Sequence, residues 1–196
     1  MKKTLYILIL ALIFISCNHK NTPGHNIVTL NEFTTSVANF YGAFYKTQGI
    51  ENNVISLDLF SEGIKLNEQG YMEGTGTNLF FSDIFLSPAD TFLLQQTYEA
   101  DTTAQPFTFL KGVDYEGNIT GAYLLNLQEN ILQSFEIFPN GNFVLSYQQD
   151  SVFIDFSLQR TDQSVYHATF KGTIPYYDLS KQSHEDQQAT KAHLKP

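Results

Sequence analysis

Tryptophan is absent from this chain, cysteine occurs once, and Lys and Arg number 11 against 20 Asp and Glu. Each shortage removes a class of explanation. A formal charge of −9 with no basic stripe repels phosphate backbones, so nucleic acid is not an expected partner. A single cysteine permits neither an intrachain disulfide nor a cysteine metal cage, and the folded part must stand on its hydrophobic core. The leading apolar run, residues 5–15, falls short of the roughly 20 residues that a transmembrane helix requires. The sequence also has no H-E-x-x-H, no P-loop and no G-x-S-x-G.

What is there begins at the N-terminus. Lys2 and Lys3 precede the apolar run, and Phe14-Ile15-Ser16-Cys17 follows it as a processing site with a small residue before the cysteine. The arrangement resembles a lipobox, with Phe14 in place of the usual aliphatic residue. It predicts a signal peptide over residues 1–16, removed in the mature protein, and acylation of Cys17. Stable anchoring then follows from several acyl chains, because each buried CH₂ contributes about 0.8 kcal/mol and a single chain binds only marginally. Removal of the signal leaves nine basic against twenty acidic side chains, a formal charge of −11. Polar residues 17–26, with Pro23 and Gly24, read as the acylated cysteine and a tether. Residues 178–196 read as a polar, disordered tail in which 185–193 can form a transient helix without an apolar face. One domain is expected over residues 27–177.

Within that domain the hydrophobic period is two. Val152, Ile154, Phe156 and Leu158 alternate with Phe153, Asp155, Ser157 and Gln159, and residues 165–174 repeat the pattern, with 160–164 as the connecting turn. Pro139-Asn140-Gly141-Asn142 predicts a second hairpin joining 135–137 to 143–147. Ile55, Leu57 and Leu59 alternate with Ser56 and Asp58. Asn67-Glu68-Gln69-Gly70 supplies a turn before a run over 71–82 that Gly74 and Gly76 would bend. Further strand runs fall at 91–98, 107–110 and 120–128. Residues 29–45 fit a helical stripe as well as a strand; the β-branched and aromatic content favours a strand over 37–46. The expectation is an all-β fold, an antiparallel meander forming a lipocalin-like barrel or a β-sandwich with flexible termini.

Three segments carry a family resemblance: Asn39-Phe40-Tyr41-Gly42, the run from Asn53 to Gly63, and Phe170-Lys171-Gly172-Thr173-Ile174-Pro175-Tyr176. Across residues 37–177 the chain resembles small calycin-like, all-β lipoproteins of the Bacteroidota. The resemblance implies a barrel-like fold and a lipid anchor in the bacterial outer membrane, with no assigned reaction. Asn18-His19-Lys20-Asn21 lacks the acidic residues that often follow the acylated cysteine of surface-displayed members, so periplasmic face and cell surface both stay open. Such bacteria also glycosylate exported proteins at Asp-Ser/Thr patterns. Asp101-Thr102-Thr103 and Asp150-Ser151-Val152 are similar, making Thr102 and Ser151 candidate acceptors beside the simpler reading as turn residues.

Candidate chemistry within the fold is sparse. His167 is the one histidine inside the domain and alternates with polar neighbours, which reads as a solvated strand position. Glu73-Gly74-Thr75-Gly76-Thr77 reads as a bent strand rather than a phosphate loop. Asp58, Asp155 and Glu136 lie in strand runs and are read as an outward charged face, with a hydrolase pair as the alternative. Phe60 and Phe153 are the candidates for a contact surface. No cofactor, metal ligand or catalytic residue is assigned. The expected role is that of a membrane-anchored envelope lipoprotein, not an enzyme, binding a small apolar ligand in its barrel or a protein partner. The alternative is an accessory subunit of an outer-membrane or surface assembly. Metabolic labelling with a fatty-acid probe is expected to depend on Cys17, and labelling that survives Cys17→Ala would overturn the anchor.

Overall fold

Alternation becomes burial in β14 (Ser151–Gln159), where Val152, Ile154, Phe156 and Leu158 are buried and Asp155 is exposed. The computed structural model describes residues 31–193; the signal segment, Cys17 and the tether lie outside the described residues. In chain order the other strands are β1 (Asn31–Phe33), β2 (Thr35–Gly42), β3 (Asn53–Phe60), β4 (Ile64–Leu66), β5 (Met72–Gly74), β6 (Gly76–Leu86), β7 (Thr97–Asp101) and β8 (Thr108–Leu110). They continue with β9 (Val113–Tyr115), β10 (Asn118–Thr120), β11 (Ala122–Gln128), β12 (Ile131–Ile137), β13 (Asn140–Gln148), β15 (Val165–Gly172) and β16 (Tyr176–Asp178), and the helix α1 (His184–His193) follows. The fold is all-β, as expected.

Twelve of the described strands form one sheet in the order β1-β15-β14-β13-β7-β8-β6-β3-β2-β16, with β11 added to β6 and β12 to β11. β1 and β2 are one run of chain interrupted at Thr34, whose N–H donates to the Phe60 carbonyl at 2.9 Å. β1 pairs with β15 while β2 pairs with β3, so the two halves of one run join opposite ends of the sheet path. This curls the sheet into a barrel-like wall rather than two sheets packed face to face. The antiparallel expectation needs a correction, since β1 with β15, β7 with β8, and β16 with β2 run parallel.

The inward face is filled by aromatic rings. Phe81 meets Phe109 at 5.0 Å and Phe143 at 5.3 Å between centroids, and Tyr98 stacks on Phe143 at 4.7 Å. The inside of the curled sheet is thus filled by its own side chains. The hairpin of β14 and β15 forms as read, with Arg160 N donating to the Ser164 carbonyl at 2.9 Å. The turn at 67–70 joins β4 to β5, and Glu73 to Thr77 spans the bent passage from β5 into β6. The strand reading of 37–46 holds with shifted bounds, because the strand is Thr35–Gly42 and a 3-10 turn follows at Lys46–Gln48.

Two local expectations fail. Residues 139–142 make no hairpin, because β12 pairs only with β11, whereas β13 pairs with β14 and β7. Phe138 is drawn into the interior, its N–H donating to the Ala122 carbonyl at 3.0 Å, and the chain passes from an outer strand into the barrel wall. Gly141 is then required inside a strand: φ is +118° and a Cβ there would lie 2.4 Å from the Ser157 carbonyl oxygen. The run at 91–98 is also not a strand until Thr97. Tyrosine hydroxyls replace the ladder there: Leu94 N donates to Tyr98 at 2.8 Å, Leu93 N to Tyr176 at 3.2 Å, and Tyr147 donates to the Leu93 carbonyl at 2.6 Å.

The tail adds to the body. Leu179 N donates to the Phe40 carbonyl at 2.8 Å, extending the β16 contact, and Ser183 caps α1 through Asp186 N at 3.2 Å, with Glu185 and Asp186 in its first turn. The helix falls where residues 185–193 of the tail were expected to form one, and, without an apolar face, it contacts the body by a polar route. Gln187 is buried and donates to the Leu179 carbonyl at 2.7 Å.

Replacing Gly141 with alanine is expected to cost more than about 2 kcal/mol, from the positive φ together with the clash. Gly117, also at positive φ but with nothing within 4 Å of a built Cβ, should lose only about 1 kcal/mol on the same change. Denaturant unfolding of the two variants checks this, and equal losses would contradict the close approach.

Candidate functional site

β3 lies between β2 and β6, deep in the sheet, and every one of its residues is buried. Its alternation is intact: Ile55, Leu57 and Leu59 point into the barrel, and Ser56, Asp58 and Phe60 point out. The outward face is not wet, however. The β4–β5 hairpin folds back over it, and Phe60 packs with Ile64, Phe80, Tyr123, Leu125 and Leu127 in a second apolar cluster, with Val37, Met72 and Ile137 against it. Two expectations are corrected here. Asp58 is 4 % exposed rather than solvated, and Phe60, at 3 %, is no surface contact. The physical reason is a second layer that covers this part of the barrel from outside.

A cleft of about 740 Å³ opens between the sheet and that layer. Val37, Asp58, Phe60, Leu125 and Leu127 line its depth, and Leu66, Tyr71, Leu132 and Tyr177 form an exposed apolar lip. The loop between β4 and β5 contributes Asn67, Glu68 and Gln69; Asn130 and Thr190 of α1 complete the wall. Among the described residues no Lys or Arg lines it. Its size and mixed lining are those of a small-molecule site.

Asp58 is the chemically distinctive group. Asn78 Nδ2 donates to Asp58 Oδ1 at 3.2 Å and shares itself with the Leu59 carbonyl at 3.3 Å. Among the described residues the ion pair is that of Arg160 with Glu136, so no cation stands within 4 Å of Asp58. Burial pushes the Asp58 carboxyl up from 3.8 to about 7, and the Asn78 hydrogen bond offsets only part of that. Its charge reaches Tyr41 and Tyr123. Tyr41 is raised to about 12, mainly by its own burial, and Tyr123 is raised further by burial and by Asp58.

A polar row continues along the outward face. Asn39 Nδ2 donates to Ser56 Oγ at 3.3 Å. On β6 the register with β3 slips between Ile55 and Leu57, so that Ser82 and Asp83 form a bulge that turns a buried carboxyl outward. Tyr45 donates to Asp83 Oδ1 at 2.9 Å and Ser82 Oγ to Asp83 Oδ2 at 2.7 Å. These residues border a second cleft of about 450 Å³ with Phe44, Tyr123 and Gln188. Asp83 carried no signal in the sequence reading. Its trace was the run Leu79-Phe80-Phe81, apolar at consecutive positions, which marks a strand buried on both faces.

The other candidates disperse. Asp155 is exposed, and Glu136 is engaged by Arg160, which also lies 5.2 Å over the Tyr166 ring. His167 is exposed on β15, and Phe153 is half-buried opposite Ser146 and Lys171. Thr102 is exposed beside Asp101, whose Oδ1 accepts from Thr102 N and Thr103 N, and Ser151 opens β14 half-buried. Among the described residues no three His, Cys, Asp or Glu side chains converge as a metal group. Comparison with protein-family models, curated proteins and solved structures finds no match to the chain, so the reading of the cleft rests on its geometry.

The raised Asp58 carboxyl ties stability to pH. The folded chain holds this proton more tightly than the unfolded one, so both states are protonated below about 4, and stability falls as pH rises from there through about 7. Asp58→Asn keeps an acceptor for Asn78 and removes the titration. The variant is expected to match the wild type at pH 4 and to exceed it by a few kcal/mol at pH 8. Urea unfolding at the two values checks this, and a variant less stable at pH 8 would refute it.

Proposed function

We propose that this is a membrane-anchored envelope lipoprotein, held in the bacterial outer membrane through Cys17, that binds a small, largely apolar ligand without transforming it. The cleft outside the sheet is the binding site, in place of the barrel interior expected from sequence. The interior positions are occupied by the rings of Phe81, Tyr98, Phe109, Phe143 and Phe156. The observation that carries the reading is the cleft of about 740 Å³, whose apolar walls and lip surround a few buried polar groups. An exposed apolar lip on an acidic protein marks a place where another molecule is received.

An uncharged, environment-sensitive dye such as N-phenyl-1-naphthylamine tests this. Saturable fluorescence enhancement is expected with the mature chain. The double change Leu66→Gln and Leu132→Gln, on exposed lip positions, should weaken it about tenfold while leaving the melting temperature within a few degrees. No saturable binding, or binding indifferent to the lip, would sink the reading.

A further inference from the structure

The cleft runs from a mouth rich in exposed apolar side chains, with Glu68, Gln69 and Asn130 beside them, to a floor that holds a buried carboxyl. Leu66, Tyr71, Leu132 and Tyr177 are exposed at the mouth, while Asp58 and Phe60 are buried at the floor. A ligand that matches both ends enters head first, its polar group against Asp58 and its apolar body along Leu125 and Leu127 toward the lip. The side-chain hydrogen bond found at Asp58 is to Oδ1, from Asn78, and among the described residues no positive side chain stands within 4 Å. Among the described residues the charged group on the cleft wall besides Asp58 is Glu68, and the chain as a whole carries −9. A carboxylate or phosphate head would meet only like charge, whereas a protonated amine is drawn in by the field and paired at the floor.

Resting on the cleft reading above, the geometry points to an aliphatic amine, an apolar chain with a protonated ammonium head, as the ligand class, with Asp58 as its counter-ion. The ammonium donates to the Asp58 carboxylate, and the amide oxygen of Asn39 on β2 is a further acceptor on the floor. No covalent step is involved. The groups that face Asp58 are Asn78 of β6, Asn39 and Tyr41 of β2, Tyr123 of β11, Glu68 of the β4–β5 turn and Tyr177 of β16. The Tyr41 and Tyr123 hydroxyls are held above the usual range and stay neutral at physiological pH. Asp58 is then the group on that floor whose ionisation changes near neutrality.

Competition against the naphthylamine dye by decylamine, decanol and decanoate separates the possibilities, with the mature chain and its Asp58→Asn variant. At pH 8, decylamine is expected to compete at least tenfold better than decanol, and decanoate worst. The preference for amine over alcohol should shrink several-fold at pH 5.5, where Asp58 takes up its proton while the alkylamine stays charged. In Asp58→Asn it should vanish while the dye still binds. Equal competition by decylamine and decanol, or a preference that persists in the variant, would overturn the amine assignment and leave the cleft reading standing. Absence of dye binding to the wild type would remove both. The pH series on the wild type keeps the assignment testable without the variant.

Discussion

Burial of both faces of β3 and β6 is the constraint from which the rest of the structure follows. A curled sheet ordinarily has one dry face and one wet one, and its strands alternate accordingly. Here the inward positions Ile55, Leu57, Leu59, Leu79 and Phe81 meet the aromatic interior, while the outward Phe60 and Phe80 meet Ile64, Ile119 and Tyr123. At the other end of the same strands, outward Val54 and Phe85 pack with Tyr41 and Phe44. Once these residues point outward, apolar surface that a single wall would leave in water requires a second layer. The β4–β5 hairpin, the β9–β10 hairpin with Ile119 and the polar helix α1 supply it. The cleft is the space that this layer does not fill.

That second layer turns polar residues of the outward face into buried ones. Ser56, Asp58, Asn78 and Asp83 would be ordinary surface groups on a one-layer barrel. Covered, they must find partners within the protein, which they do through Asn39, Asn78 and Ser82 on the sheet and Tyr45 in the turn after β2. The bulge at Ser82 and Asp83 belongs to the same solution. By inserting one residue it restores the inward phase at Ile84 and lets Ser82 accept from Gly121 N at 3.0 Å, which joins the end of β10 to the sheet.

Period and chemistry of the strands are legible in the sequence. β14, β15 and the inward face of β3 could be read residue by residue, because alternation depends only on the pleat. Long-range pairing could not. Pro139-Asn140-Gly141-Asn142 carries every mark of a two-strand turn, yet β12 and β13 do not pair, and the buried Phe138 and the close approach of Gly141 to Ser157 make it a crossing from the β11–β12 branch of the sheet to the β13–β14 pair. Local turn chemistry fixes where the chain bends, not which strands then meet. The site was missed for a related reason. Alternation told truly that Asp58 opposes Ile55, Leu57 and Leu59, but whether the opposite face is wet depends on β4, β5 and α1. The consecutive apolar residues Leu79-Phe80-Phe81, and Phe60 beside Leu59, were the available sign of that cover.

The presence of an acid, and not an amide, at the cleft floor has an energetic meaning for the isolated domain. Asparagine at position 58 would accept from Asn78 and fit the same space without a charge to desolvate. The carboxylate, by contrast, is held in a protein environment that favours its neutral form up to about pH 7. At neutral pH the free chain is therefore strained by its own floor, and among the described residues no cationic side chain relieves it. A positive group arriving from outside changes the sign of that contribution. It restores the ionised form, offsets the desolvation by direct pairing, and finds apolar contact along the same wall. On the amine proposal, the Asp58 that weakens the empty domain would be the group that discriminates among occupants of the cleft, with Phe60, Leu125 and Leu127 supplying attraction common to any apolar chain.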